Sequence, residues 1–288
     1  MKRRMVAALF MLVLCKALLF AMTMTASAEG YSGGDGTENN PYLISSREDF
    51  SGIADAVNNG NDLYGVYFKQ TADIDMGGED DPWSTVGITI DNAAHQFRGM
   101  FDGDNWQIIN LYVNRNDDDA GLFGYVGQDD VIRNVHVVEG DISGTYWCGG
   151  IASRNYGLIE YCSFSGYVYA SQQFAGGIVG DNHSGGIIRY CYNTGDVEGD
   201  QICGGIAGRN SSGIVENCYN RGDVYARNII RGYVGGVVGE NTAGSTIDNC
   251  YSTGNVENVL PKTEEEFESG EVAWELSKGT DGDGWGQN

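Results

Sequence analysis

A small-residue opening that recurs about every 28 residues is the feature that most constrains this chain. It begins five successive units, whose starts are 28, 27, 28 and 31 residues apart. A fixed period of this length is typical of stacked structural units, because one unit cannot bury its own apolar face. The openings read AGLFG at Ala120, CGGIA at Cys148, AGGIV at Ala175, CGGIA at Cys203 and VGGVV at Val234.

Each unit contains three short runs of apolar residues, separated by Gly, Asn and Ser. The fourth unit reads CGGIAG, then IVENCY, then VYA, with corners at residues 209–213 and 220–223. No run is long enough to show a helical period, and β-branched and aromatic residues suit a pleated, half-buried surface. The sequence therefore predicts an all-β fold, a right-handed parallel β-helix of three strands per turn, with turns about 4.8 Å apart.

The units resemble the GLUG-motif repeats of bacterial extracellular and surface proteins, through AGLFG, GGIVG, GGIAG and GGVVG. The preceding stretch is similar to what commonly leads into such repeats, with TADIDM ending at Met76 and FRGMFDGDNWQIINLYV starting at Phe97. The resemblance covers nearly the whole chain after residue 28 and implies a β-helix. It implies less about activity, since such repeats occur in adhesins and beside the protease domain of immunoglobulin A-cleaving metallopeptidases.

Composition predicts four segments. Residues 1–28 read as a signal peptide, with basic residues, an apolar stretch and an Ala-Ser-Ala cleavage site. Residues 29–119 read as an N-terminal cap with irregular first turns, and residues 120–258 as the five repeats. The cap includes a short amphipathic helix that starts at Ser46 and stops at Gly60. Residues 259–288 predict a second capping helix, from a capping box at Thr263, and a tail.

The charge of the chain restricts its partners. Without residues 1–28 it has 13 basic and 40 acidic residues, a net charge of −27. Such a surface repels nucleic acid and anionic lipid. No segment after the signal peptide has the roughly 18 apolar residues needed to span a bilayer. We therefore expect a secreted or cell-surface monomer that meets an extracellular glycan or a host or matrix protein.

If the repeats stack in register, equivalent residues form columns along the solenoid. Amide side chains at a corner can hydrogen-bond from turn to turn and satisfy backbone groups there. Such an Asn column is predicted seven residues after four of the openings: Asn155, Asn182, Asn210 and Asn241. A second column consists of cysteines that we expect to be inward-facing, buried and free: Cys162, Cys191, Cys218 and Cys250.

A third column lies at the second corner and is acidic. It contains Asp141, Asp196 and Asp223, and Tyr167 interrupts it. Three interpretations are open: a solvated turn, a calcium site with hard oxygen ligands, and a carboxylate pair for catalysis. Calcium is the cofactor that the sequence suggests. Asp223 also completes Arg221-Gly222-Asp223, the tripeptide that integrins recognise, although it aligns with ordinary corner residues of neighbouring units.

The remaining candidates are aromatic. Tyr192, Tyr219 and Tyr251 recur beside the cysteines and read either as packing residues or as a stack that binds sugar rings. No HExxH motif is present, and the histidines have no Ser, Cys or carboxylate companion at a telling spacing. These histidines are His95, His136 and His183.

No catalytic residue is therefore predicted, and the sequence leans against an enzyme without excluding one. It favours an adhesin-like binding module or a spacer that presents a long, rigid, acidic face. Two alternatives stay open. One is a carbohydrate-active β-helix enzyme, a polysaccharide lyase or hydrolase, and the other is a non-catalytic scaffold fragment of a larger surface protein or peptidase.

Overall fold

The structure is a computed structural model that describes residues 30–90, 93–116, 119–227 and 233–258. The predicted signal peptide and the predicted C-terminal helix and tail lie outside these residues. All strand pairings but one short hairpin are parallel, and each strand pairs with its equivalents in the turns before and after. The fold is an all-β parallel solenoid with very little helix, as the repeat period predicts.

Four parallel sheets run along the solenoid. The first is the eight-stranded sheet, with strands Tyr42–Ile44, Tyr67–Gln70, Met100–Asp102, Val131–Arg133, Leu158–Glu160, Ile187–Arg189, Ile214–Glu216 and Thr246–Asp248. The second is the eleven-stranded sheet, with strands Ile74–Asp75, Gln107–Ile109, Tyr112–Asn114, His136–Gly144, Ser163–Ala170, Tyr192–Asn193, Asp196–Gly199, Tyr219–Asn220, Val224–Ala226, Tyr251–Ser252 and Val256–Asn258.

The other two parallel sheets come from the repeat openings. The opening sheet has strands Asp119–Ala120, Trp147–Gly149, Phe174–Gly176, Ile202–Gly204 and Val234–Gly235. The ladder sheet has strands Phe123–Val126, Ala152–Asn155, Val179–Asn182, Ala207–Asn210 and Val238–Asn241. A small antiparallel hairpin pairs Thr89–Ile90 with Ala93–Ala94.

The predicted stacking register is confirmed. Cys148 pairs with Ala120 on one side and Ala175 on the other, and Cys203 pairs with Ala175 and Val234. The five openings therefore lie beside one another in a single sheet. Matching sequence positions are neighbours in space throughout the repeats.

The prediction of three strands per turn is wrong, because the first two repeats have four strands each and the other three have five. In the fourth repeat a corner falls inside the opening run, between Gly204 and Ala207, and another falls inside the IVENCY run. Asn217 forms that second corner with a left-handed φ of +54°. Apolar residues continue through both corners, so the hydrophobic pattern alone does not reveal them.

The paired glycines of the openings are explained by close approach across the interior. A Cβ atom on Gly205 would lie 2.2 Å from the Asn220 side chain and 2.3 Å from the Gly236 carbonyl oxygen. A Cβ atom on Gly204 would lie 2.0 Å from the Ala207 carbonyl oxygen. No side chain fits at either position, so Gly-Gly is a packing requirement of the sharp corner.

The one α-helix of the described residues, α1, spans Arg47–Asn58 in the first turns. Ser46 caps it by accepting the Asp49 backbone N–H, as the sequence predicts. Its apolar face is buried, and the Phe50 ring stacks on those of Phe101 and Trp83 at 5.1 and 5.2 Å. A 3-10 turn at Gly78–Asp80 follows. Among the described residues, no helix is both long and apolar enough to cross a membrane.

Candidate functional site

The predicted Asn column forms a continuous hydrogen-bonded ladder on the ladder sheet. Each Nδ2 donates to the Oδ1 of the next rung, at 2.8 Å from Asn155 to Asn182, 2.9 Å from Asn182 to Asn210 and 3.0 Å from Asn210 to Asn241. The first three side chains are fully buried. Each also donates to a backbone carbonyl at its own corner. This geometry gives the column a structural role, because the amides of the three buried rungs are all hydrogen-bonded within the solenoid.

The structure contains a second, shorter ladder that the sequence analysis does not predict. Asn193 Nδ2 donates to Asn220 Oδ1 at 2.9 Å, and Asn220 Nδ2 donates to Ser252 Oγ at 3.2 Å. Both Asn side chains are fully buried and also bond the backbone of their own corners. The signal was the spacing of 27 residues between the two asparagines, which is one repeat.

The cysteine column also stacks along the interior. The backbone N–H of Cys162 donates to Cys191 Sγ at 3.5 Å, and that of Cys218 donates to Cys250 Sγ at 3.4 Å. The six cysteines of the described residues are buried and free. Burial raises the pKa of the Cys148 and Cys203 thiols, which sit on either side of Ala175. Such thiols are poor nucleophiles and poor metal ligands.

Two carboxylates of the acidic column accept hydrogen bonds from the backbone of the next turn. Asp196 Oδ1 accepts the Asp223 N–H at 3.0 Å, and Asp223 Oδ1 accepts the Asn255 N–H at 2.7 Å. The Asn255 N–H lowers the pKa of the Asp223 carboxyl, the opposite of what a general acid requires. Asp141 stands apart, since Tyr167 lies between it and Asp196 in the register, and burial raises its pKa.

The calcium site predicted at these carboxylates stays a prediction. Calcium takes about six to eight oxygen ligands, whereas here two of the three acids spend an oxygen on a neighbouring turn. Within the part of the chain that the structure describes, no group of three or more His, Cys, Asp or Glu side chains is arranged to hold a metal ion.

The Arg-Gly-Asp tripeptide lies in the same corner. Gly222 is buried, and a Cβ atom on it would lie 1.8 Å from the Gly195 carbonyl oxygen. Asp223 also accepts the Tyr225 hydroxyl at 3.0 Å, while Arg221 is exposed. Gly222 of the tripeptide thus packs against the preceding turn, and the tripeptide does not project as a loop tip.

The expectation that the histidines lack companions is wrong for two of them. His136 Nδ1 lies 2.7 Å from Ser163 Oγ, one turn further along. His183 Nε2 lies 2.9 Å from Asp181 Oδ2, and Asp181 also pairs with Arg209. The third, His95, places Nδ1 2.9 Å from the Asn58 carbonyl oxygen, where it ties the hairpin region to α1. Stacking brings His136 to a partner on the neighbouring turn, whereas Asp181 lies only two residues before His183 in the chain.

Asp119, which directly precedes the first repeat opening, is buried and hydrogen-bonded. Its Oδ1 accepts Ser153 Oγ–H at 3.0 Å and Arg154 Nε–H at 2.9 Å. The Arg154 guanidinium lies over the rings of Trp147 and Tyr125 at 4.5 and 4.8 Å. This cluster joins the opening sheet to the ladder sheet.

The predicted tyrosines form a column on the outer face of the eleven-stranded sheet. The ring centroids of Tyr192 and Tyr219 are 5.1 Å apart, and those of Tyr219 and Tyr251 are 5.4 Å apart, with interplanar angles of 4° and 9°. The rings therefore cover one another face to face, and solvent meets their edges and hydroxyls. Tyr219 has both faces covered and cannot stack on a sugar.

The same column continues beyond Tyr192 into a groove. The register places Ser163 beside Tyr192 and His136 beside Ser163. The groove has a volume of about 270 Å³. Its polar lining consists of Asn105, Gln107, His136, Ser163, Ser165, Tyr192 and Thr194. The small Ser163 side chain makes the groove, because it leaves a gap in an otherwise aromatic column.

Fold and columns together define a class of protein, the parallel β-solenoids stabilised by stacked polar and aromatic ladders. More narrowly, residues 231–257 match the GLUG motif, and this stretch is the fifth repeat. The sequence resemblance to GLUG-motif repeats is therefore confirmed.

Two proteins are similar in sequence to about half of this chain. The chain is 29% identical, over 142 residues, to a candidate Gly-rich membrane protein of Evansella cellulosilytica, and 30% identical, over 159 residues, to halomucin of Haloquadratum walsbyi. The alignments cover 48% and 54% of this chain but only 16% and 2% of those relatives. The chain thus corresponds to a small part of each.

The same fold occurs in a solved structure, that of a candidate immunoglobulin A1 protease from Bacteroides ovatus. The TM-score is 0.62 at 24% identity, over 85% of this chain and 90% of that one. At this identity the likeness describes the fold and carries no activity with it.

Proposed function

We propose that this chain is a secreted or surface-displayed β-solenoid that acts as a binding module or spacer. The observation that carries the proposal is the in-register stacking of the five repeats, in which a largely buried Asn ladder joins the second repeat to the fifth. A rod stiffened in this way presents outward columns at fixed spacing, and it loses little conformational entropy when a partner binds. The similarity to a candidate Gly-rich membrane protein is consistent with a surface location.

A carbohydrate-active enzyme is the weaker candidate. Its proposed acidic cleft would need two carboxylates with different protonation behaviour. Asp196 and Asp223 instead accept backbone N–H groups from the next turn. Their geometry therefore supports a corner clasp better than an acid and base pair.

The test is to incubate residues 29–288 with immobilised polysaccharides and matrix proteins, and to score retention and depolymerisation together. A binding module retains at least one probe and leaves it intact. A lyase or hydrolase shortens a polysaccharide. Absence of both retention and cleavage would leave the spacer role and remove the binding role.

A further inference from the structure

The gap in the tyrosine column has the features of a ligand subsite. Two strand spacings of about 4.8 Å each separate His136 from Tyr192 along the column. Between them Ser163 contributes only a hydroxymethyl group, at the position where an aromatic residue would place a ring between His136 and Tyr192. One face of Tyr192 is covered by Tyr219, and the other face is turned to the gap.

Polar groups surround this free aromatic face. His136 Nδ1 is 2.7 Å from Ser163 Oγ, and its Nε2 is 3.4 Å from Asn105 Oδ1. The imidazole therefore links the buried Ser163 to the exposed Asn105. The amides of Asn105 and Gln107 and the hydroxyl of Thr194 are at exposed residues. Amides and hydroxyls are both donors and acceptors, which matches the bonding capacity of sugar hydroxyls.

The charge of the gap selects among ligands. None of the ten residues that line it is Lys, Arg, Asp or Glu. Burial lowers the pKa of His136, so its imidazole is neutral at physiological pH. An anionic sugar would therefore lose its hydration without gaining a cation, in a chain whose net charge is already −23.

We infer that the gap between His136 and Tyr192 is a subsite for one ring of a neutral polysaccharide, which stacks on Tyr192 and bonds Ser163, Asn105, Gln107 and Thr194. One apolar ring face surrounded by hydroxyl and amide groups matches a sugar, which has an apolar ring face and hydroxyls at its edge. The inference rests on the proposed binding function and gives it a ligand class. It also places the sugar on the uncovered ring face of Tyr192, at the end of the stack, because the ring faces within the stack are covered.

The experiment uses residues 29–288 in affinity electrophoresis through gels that contain laminarin, mannan or dextran as neutral probes, and alginate or polygalacturonate as acidic ones. Ser163→Tyr is the central variant, because a tyrosine there completes the column, fills the gap and keeps the stack. Tyr192→Ala removes the platform. Tyr251→Ala is the matched control, since it shortens the same column at the other end.

We expect at least one neutral probe to retard the wild-type protein. Ser163→Tyr and Tyr192→Ala should each weaken that retardation at least tenfold, while Tyr251→Ala binds like the wild type. Circular dichroism and thermal melting establish that every variant is folded. Retardation that survives Ser163→Tyr in a folded protein would overturn the subsite and leave the general binding role standing.

Two other outcomes also overturn the inference. One is retardation by the acidic probes alone, which would require cationic groups elsewhere. The other is binding to a matrix protein with no effect of any neutral polysaccharide, in which case the module binds protein and the gap is not its site. Loss of all binding, to glycans and matrix proteins alike, would instead count against the proposed function itself.

Discussion

Asn182 donates its amide to Asn210 Oδ1 at 2.9 Å, and both side chains are fully buried one turn apart. Asn182 also accepts from Asn155 at 2.8 Å and donates to the Gly186 carbonyl at 3.1 Å. Replacing it by Ala breaks these bonds and leaves buried partners unsatisfied. We expect Asn182→Ala to lower the free energy of unfolding by about 2–4 kcal/mol.

Urea unfolding followed by circular dichroism measures this cost. Asn241→Ala is the control, because Asn241 is the half-buried last rung and its Oδ1 accepts one ladder bond from Asn210. It should cost about 1 kcal/mol or less. Equal costs at the two rungs would mean that the ladder does not act as a continuous stack.

The ladder was predictable because a repeat period translates directly into spatial neighbours. The pair of His136 and Ser163 obeys the same rule, since the two residues are 27 positions apart, but different residue types hide it from a search for matching letters. The Asn193 and Asn220 ladder was missed although its letters match. The sequence therefore predicts which strands pair, and in which register, more readily than it predicts which side chains bond to each other.

Corner geometry was less predictable than register. Tyr161 and Tyr190 have φ values of +54°, like Asn217 at the equivalent position, although bulky residues rarely adopt a left-handed conformation. They stack on each other at 4.9 Å and are half exposed. Sequence patterns place Asn or Gly at such corners, so a tyrosine there gives no local signal of the turn.

The Gly-Gly opening makes a steric prediction. A methyl group on Gly205 would come within 2.3 Å of two groups, one of them the Gly236 backbone. The packed interior cannot yield at the backbone, so Gly205→Ala should cost more than about 3 kcal/mol or abolish soluble expression. Thermal melting and soluble yield provide the measurement.

Gly52→Ala is the matched glycine variant. Gly52 lies within α1, and a Cβ atom there would make an ordinary contact of 3.4 Å with Tyr31. Ala favours the helix by up to about 1 kcal/mol, so this change should be neutral or stabilising. A Gly205→Ala protein as stable as Gly52→Ala would contradict the close approach across the corner.

The interior cysteines predict a high count of free, protected thiols. Residues 29–288 contain six cysteines, all free and buried in the structure. A thiol reagent should therefore label none in the native protein and six after denaturation without reductant, because burial both blocks access and keeps the thiols protonated. Intact mass after alkylation gives the count, and a native mass short by two or more pairs of hydrogens would contradict it.

Asp130 predicts a pH dependence of stability. It is 4% exposed, and its Oδ2 has no hydrogen-bond partner among the residues that the structure describes. Burial raises its pKa to about 7, against the opposing charge of Arg98. Ionisation is thus costlier in the folded chain than in the unfolded one. Its contribution is most favourable below about pH 4 and is lost as pH rises towards 7.

Asp130→Asn removes this ionisation while keeping the shape of the side chain. The variant should match the wild type at pH 4 and exceed it at pH 8, by an amount on the order of 2 kcal/mol. Asp55→Asn is the control, because Asp55 is exposed on α1 and is not among the charges that shift the Asp130 pKa. Melting temperatures of the three proteins from pH 4 to pH 8 provide the comparison, and a constant offset between Asp130→Asn and the wild type across that range would show that Asp130 does not titrate there.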